Sequence, residues 1–135
     1  MVDAATRAMV RNRAEGRCEY CHSHQDDRDF FPFHIEHIIP KKHGGGDHHL
    51  NLCLACAECN LAKGPNLTGM LSGKIVPLFN PRRQLWDRHF CWHGLLLVGI
   101  TNAGKVTVYV LNMNSDIRIL LRESLRAEGR FLSED

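Results

Sequence analysis

Cys18-Glu19-Tyr20-Cys21 and Cys56-Ala57-Glu58-Cys59-Asn60 bracket the stretch that decides the fold, and His34-Ile35-Glu36-His37-Ile38-Ile39-Pro40 lies between them. Each Cys-x-x-Cys places two sulfurs on one side of an ion, and zinc favours four thiolates in a tetrahedron. The doubled spacing points to a structural zinc held by Cys18, Cys21, Cys56 and Cys59. The alternatives are a redox pair or plain buried thiols. In a reducing compartment such pairs favour metal over disulfide. The gap between the pairs exceeds that of a minimal zinc ribbon, so an insertion separates the two knuckles. Cys53 and Cys91 are left over and are expected as small buried core residues.

The insertion is rich in strand and turn signals. The run from Phe30 to Ile39 holds aromatic and β-branched residues and reads as extended, ended by Pro40. Lys41 to His49 is a loop rich in Gly and His. Asn51 to Leu54 reads as a short second strand. Cys56 to Lys63 reads as a short helix stopped by Gly64-Pro65. Before the first knuckle, Asp3 is a suitable N-cap for a helix over about Ala4 to Glu15, with Gly16 as its stop.

The remainder carries weaker signals. Gly64 to Gln84 reads as mostly irregular. Trp86 to Ile100 and Lys105 to Leu111 read as two strands joined by Thr101-Asn102-Ala103-Gly104. Asn114 or Ser115 can cap a final helix to about Glu128, with Ile117, Leu120, Leu121 and Leu125 on its apolar face. The expected class is α+β. The 135 residues are expected to form one domain: a zinc-stapled core over 17–64, then a C-terminal β-hairpin and helix over 65–135.

The string Cys18-x2-Cys21, then His34-Ile35-Glu36-His37-Ile38-Ile39-Pro40-x3-Gly44-Gly45, Asn51-Leu52 and Cys56-x2-Cys59-Asn60-x2-Lys63-Gly64 resembles the HNH endonuclease family in its four-cysteine zinc variety. The likeness runs from about Arg17 to Gly64. It implies a ββα-metal fold and metal-dependent cleavage of DNA phosphodiesters. It implies that His37 is the general base that activates water. Glu36 and Asn60 would be ligands of a catalytic divalent cation, Mg²⁺ or Mn²⁺, and Asn51 would brace the loop and help to orient the base. The products would carry 5′-phosphate and 3′-hydroxyl ends.

The chemistry of the residue types agrees. A hard cation held by few protein ligands keeps positions open for phosphate and water. A neutral imidazole can take a proton from an attacking water. One geometric conflict stands out. In a regular strand Glu36 and His37 point to opposite faces. Serving one centre therefore requires a twist, a bulge or a strand end there. His34 shares a face with Glu36 and is a candidate second partner of the site.

Substrate contacts are expected from cations. Lys41 and Lys42 follow the catalytic strand, and Lys63 shares a helix face with Asn60. Arg82, Arg83, Arg88 and His89 form another basic group near Trp86 and Trp92, two rings that either stack on bases or are core tryptophans beside a solvated charge run. Arg118, Arg122, Arg126 and Arg130 recur every four residues opposite the apolar face of the last helix. They form either a row that contacts the DNA backbone or an acidic partner, with Arg122 and Arg126 as the DNA-binding candidates, or else a solubilising face. The net charge of +2 excludes little. The segment Met1 to Arg7 has no apolar core of a leader, and no apolar run is long enough for a bilayer. The expected location is the cytoplasm, with DNA as partner, no membrane, and a monomer or homodimer. The competing reading is a non-catalytic zinc-stapled nucleic-acid-binding module.

Overall fold

The computed structural model of the chain describes residues 1–28 and 31–131. These residues form two compact units. The first holds Met1–Leu67 and takes back the loop Asn80–Gln84, and the second holds Thr68–Phe79 and the chain from Leu85 on. Among the described residues no helix is long and apolar enough to cross a membrane.

In the first unit α1 spans Ala4–Arg13. The Asp3 carboxylate accepts from the Thr6 amide at 2.7 Å, which satisfies one of the helix's unpaired donors. The helix stops short of the expected Glu15 because Glu15 and Gly16 both take positive φ, 55° and 73°. Val10 is its buried anchor. The first knuckle follows and is tied to the sheet twice: the Glu19 amide donates to Leu54 O, and the Leu54 amide donates to Glu19 Oε2, both at 2.8 Å.

Strand β1 (His34–His37) pairs antiparallel with β2 (Leu52–Ala55), aligning Glu36 with Cys53 and His37 with Leu52. The extended run is shorter than the sequence suggests. Its expected first residue, Phe30, lies outside the described residues. All four residues of β2 are buried, as expected of an apolar run covered on both faces. Helix α2 (Ala57–Lys63) follows directly. It is capped by the Cys56 sulfur, which accepts from the Cys59 amide, and it ends at Gly64. Arg82, in the returning loop, forms an ion pair with Glu19. Strand, loop, strand and helix, with the cysteines at either end, make the expected α+β core.

The second unit holds the C-terminal hairpin and helix, with a different assignment of residues. Strands β3 (Thr68–Leu71) and β4 (Lys74–Pro77) form a hairpin within the stretch read as irregular. Ser72 and Gly73 turn it with φ 50° and 78°, a two-residue turn of the kind that suits strand twist. After α3 (Trp86–His89), β5 (Phe90–His93) and β6 (Leu96–Gly99) form a second hairpin around Gly94. Both strands lie inside the stretch expected to be one strand. The expected partner, Lys105–Leu111, is instead helical, because α4 spans Asn102–Val110.

Two features override the β-branched residues there. The Thr101 hydroxyl caps the helix by accepting from the Gly104 amide at 3.0 Å. Val106 and Val110, one turn apart, sit against Gly69. A Cβ at Gly69 would come within 2.3 Å of Val106 Cγ2, so only glycine lets helix and hairpin meet. Phe79, Phe90, Leu97, Val106, Leu111 and Met113 form this unit's core.

The last helix, α5 (Asp116–Ala127), buries only part of the expected apolar face: Leu125 is buried, but two arginines of the expected outer row are buried with it. Arg118 and Arg122 are buried, at 3% and 5% exposure, while Ile117 and Leu120 are 72% and 64% exposed. Arg122 donates to Leu95 O at 2.9 Å, to Asn114 Oδ1 at 3.0 Å and to Met113 O, and its guanidinium lies 5.0 Å from the Trp92 ring centre. Backbone carbonyls at the end of one hairpin and beyond α4 need donors, and one guanidinium supplies five. Trp92 thus holds a cation within the fold. Cys91 is exposed, not buried as expected, whereas Cys53 is buried.

Candidate zinc staple and active site

The first knuckle and the start of α2 bring Cys18, Cys21, Cys56 and Cys59 together. All four are buried, and their sulfurs lie within 4.8 Å of one another. Cys21 Sγ and Cys56 Sγ are 3.7 Å apart. Four sulfurs at about 2.3 Å from one zinc sit roughly 3.8 Å from each other, so this set fits a tetrahedral ion. Amides of Cys21 and Cys59 point at the sulfurs of Cys18 and Cys56, at 3.5 and 3.4 Å. Burial pushes the thiols of Cys18 and Cys59 well up, helped at Cys18 by all three neighbouring sulfurs and opposed at Cys59 by Cys18. Four buried thiols in this arrangement have no other partner chemistry that matches as well as a bound zinc. Among the described residues no other group of three or more His, Cys, Asp or Glu side chains is so placed.

Glu36 is not where an open metal ligand would be. It is buried, and its Oε1 forms an ion pair with Lys63 Nζ at 2.8 Å. Its Oε2 accepts from the Tyr20 hydroxyl at 2.8 Å and from the Cys53 thiol at 3.2 Å. Lys63 also donates to Ile38 O at 3.0 Å. Carboxylate and ammonium thus neutralise each other in the interior, each with further hydrogen bonds. That is the condition under which buried charges persist. Burial and the Glu36 charge push the Tyr20 phenol and the Cys53 thiol up, so both remain donors. Lys63, expected at the surface against phosphate, is enclosed here.

His37, the next residue, turns to the other face and is half-buried. Its Nε2 lies 2.7 Å from Asp47 Oδ1. Asp47 also pairs with Lys41 Nζ at 3.3 Å and with the terminal amine at 3.0 Å. These three donors, His37 foremost, hold the Asp47 carboxyl far below the usual carboxylate range. Asp47 carried no signal in the sequence beyond its place after Gly44-Gly45-Gly46. Only the fold of the loop sets it against a histidine ten residues earlier.

Asn51 fixes that loop. Its Nδ2 donates to Ile39 O at 3.0 Å and to Gly46 O at 2.9 Å, and its Oδ1 accepts from the Ile39 amide at 2.9 Å. The Gly45 amide donates to Pro40 O at 3.0 Å. A Cβ at Gly45 would stand 1.6 Å from Ile39 O, so the backbone approaches itself too closely for any other residue.

Asn60 is half-buried on α2, next to Cys59 of the four-cysteine cluster. His34 is exposed at the start of β1. Lys41 and Lys42 are exposed in the turn after Pro40, and Arg83 is exposed in the returning loop. Arg82 is engaged by Glu19, and Arg122 by backbone carbonyls in the second unit. Arg126 is exposed. The expected set therefore divides. His37, Asn51, Lys41 and Lys42 lie on or beside one loop, whereas Glu36 and Lys63 are turned into the interior.

Comparison with known proteins gives a family match over this stretch. Residues 18–66 match the model of a family described as HNH endonuclease. The chain is also similar to the Septu protein PtuB of Bacillus thuringiensis, at 27% identity over 114 residues, covering 79% of this chain and 40% of that protein. The chain thus spans less than half the length of that relative. No solved structure matches.

Proposed function

From the match of residues 18–66 to the HNH endonuclease family model, we propose that this chain hydrolyses DNA phosphodiester bonds as an endonuclease, with His37 as general base. The observation that carries this reading is the His37 ring. It is half-buried, outside the interior network, and bound at Nε2 by Asp47 at 2.7 Å. One ring nitrogen is thereby engaged and the other is left to accept a proton from water, which is the arrangement general-base catalysis needs. Asn51 and Gly45 hold the loop that supplies Asp47. Lys41, Lys42, Arg83 and Arg126 are exposed cations suited to phosphate oxygens. Lys63, Arg82 and Arg122 leave that list because they serve the fold.

Zinc in this reading is a staple and takes no part in the reaction. A hard cation such as Mg²⁺ or Mn²⁺ would supply charge to the phosphate. The residues as arranged do not make a site for one, because both Glu36 oxygens are in use and Asn60 alone is a weak holder. Glu36 would join such a site only by giving up Lys63. That observation favours a second reading, a zinc-stapled module that binds nucleic acid without cutting it.

Supercoiled plasmid separates the two. The zinc-loaded chain is incubated with Mg²⁺, Mn²⁺ or EDTA beside His37→Ala. Cation-dependent nicking that His37→Ala lacks supports the endonuclease. Retention of the plasmid in a gel shift without cutting under any cation would favour the binding module. Equal cutting by both proteins would sink the base assignment.

A further inference from the structure

We propose that Asp47 is a positioning residue for His37: its carboxylate holds the ring in the Nε2–H tautomer and leaves Nδ1 as the proton acceptor. The proposal rests on the reading of His37 as general base and adds the group that sets which nitrogen acts. A carboxylate accepting from one ring nitrogen fixes both the tautomer and the plane of an imidazole. The distance of 2.7 Å is that of a charge-assisted bond.

Placement of Asp47 is not left to a loose surface loop. Its neighbour Gly46 is bound through its carbonyl by Asn51, and Gly45 is seated against Ile39 and Pro40. Asn51 therefore acts on His37 at one remove, by fixing the residue that holds it. Lys41 and the terminal amine face the same carboxylate at 3.3 and 3.0 Å. They keep it anionic and so keep it an acceptor. Lys41 is also among the exposed cations next to the site, so a phosphate that draws Lys41 away leaves His37 as the principal partner of Asp47.

The test uses the full zinc-loaded chain with Asp47→Asn and Asp47→Glu beside the parent and His37→Ala. Long-range ¹H–¹⁵N spectra read the His37 tautomer at a pH where the ring is neutral, and amide spectra check the fold. The expected parent tautomer is Nε2–H. An Asn at 47 can offer its NH₂ to the ring instead, so Asp47→Asn should move the population towards Nδ1–H. It should also slow single-turnover plasmid nicking by about 10-fold or more, since losing the carboxylate that sets a base histidine's tautomer can cost up to about 10⁴ in rate. Asp47→Glu should keep the parent tautomer and recover part of the rate. An unchanged tautomer in Asp47→Asn overturns the proposal whatever the rates. An unchanged nicking rate in Asp47→Asn, where His37→Ala is inactive, overturns it as well. If His37→Ala cut normally, the base assignment would fail, yet a shifted tautomer would still support the positioning contact.

Discussion

Removing Lys63 tests the interior on which the site is built. The side chains of Lys63 and Glu36 are 2% and 5% exposed, and they meet at 2.8 Å. Lys63→Met keeps the length and apolar stem but removes the charge. It leaves Glu36 buried with two neutral donors, Tyr20 and Cys53, and takes the donor from Ile38 O. Breaking one side of a buried pair costs about 3–5 kcal/mol, against roughly 5–15 kcal/mol for a whole domain. Glu36→Gln should cost a similar amount, because it strands the ammonium. The double variant should cost clearly less than the sum, with a coupling of about 1–3 kcal/mol. Both tryptophans lie in the second unit, so their fluorescence reports the wrong part of the chain. Hydrogen exchange of the β2 amides across a urea series, in zinc-loaded protein, reads the first. Costs that simply add, or a Lys63→Met loss below about 1 kcal/mol, would show that the pair is not a coupled interior unit.

Other perturbations separate fold from chemistry. Chelating zinc, or Cys56→Ser, should lower bound metal from one ion per chain and unfold the first unit, read by metal analysis and β2 amide exchange; a Cys56→Ser protein that stayed folded and active would end the staple assignment. Arg126→Gln should lower the salt slope of DNA affinity by about one, while Arg122→Gln should chiefly lower the urea midpoint of the second unit by tryptophan fluorescence. Gly45→Ala should destabilise the loop and cut nicking sharply with zinc content unchanged, since its Cβ has no room beside Ile39 O. The Asp47 carboxyl is depressed on folding, so its stabilisation is present above the ordinary carboxylate value of about 4 and is lost as pH falls through the depressed one. The melting-temperature gap between parent and Asp47→Asn should therefore be constant near neutrality and close below about pH 4.

Local chemistry was legible and long-range pairing was not. The four cysteines, the Asp3 cap, the Gly64 stop and the two short strands are written in adjacent residues. They appear within a few residues of where spacing and turn signals put them. The hairpin at Ser72-Gly73 was equally local and was hidden by the prolines around it. Helix α4 was not local in this sense. Val106, Thr107, Val108 and Val110 favour a strand, and besides the Thr101 cap it is Gly69, more than thirty residues earlier, that gives Val106 and Val110 a surface to sit on as a helix. The arginine row misled for a related reason. Periodicity separates two faces of α5 but does not say which is inside. Carbonyls at Leu95 and Met113 drew Arg122 inside.

Glu36 and His37 show how one rule of geometry outranks a motif. Adjacent strand residues face opposite ways, and a shared centre would have required β1 to break that alternation. The strand does not break it: His34 to His37 pair in continuous register with Ala55 to Leu52. Glu36 accordingly goes inward, where a carboxylate survives only with a counter-charge, and Lys63 on α2 supplies it. His37 goes outward, where it needs an orienting acceptor, and Asp47 supplies that. The two partners follow from the same alternation. If a cation does bind Glu36 during catalysis, β1 has to twist or the side chain has to leave Lys63. Either change would expose the Glu36 face, so adding Mg²⁺ should speed exchange of the Cys53 amide in the parent and leave it unchanged in Glu36→Gln. Equal exchange with and without Mg²⁺ in a chain that cuts DNA would mean that catalysis proceeds with the Glu36–Lys63 pair closed.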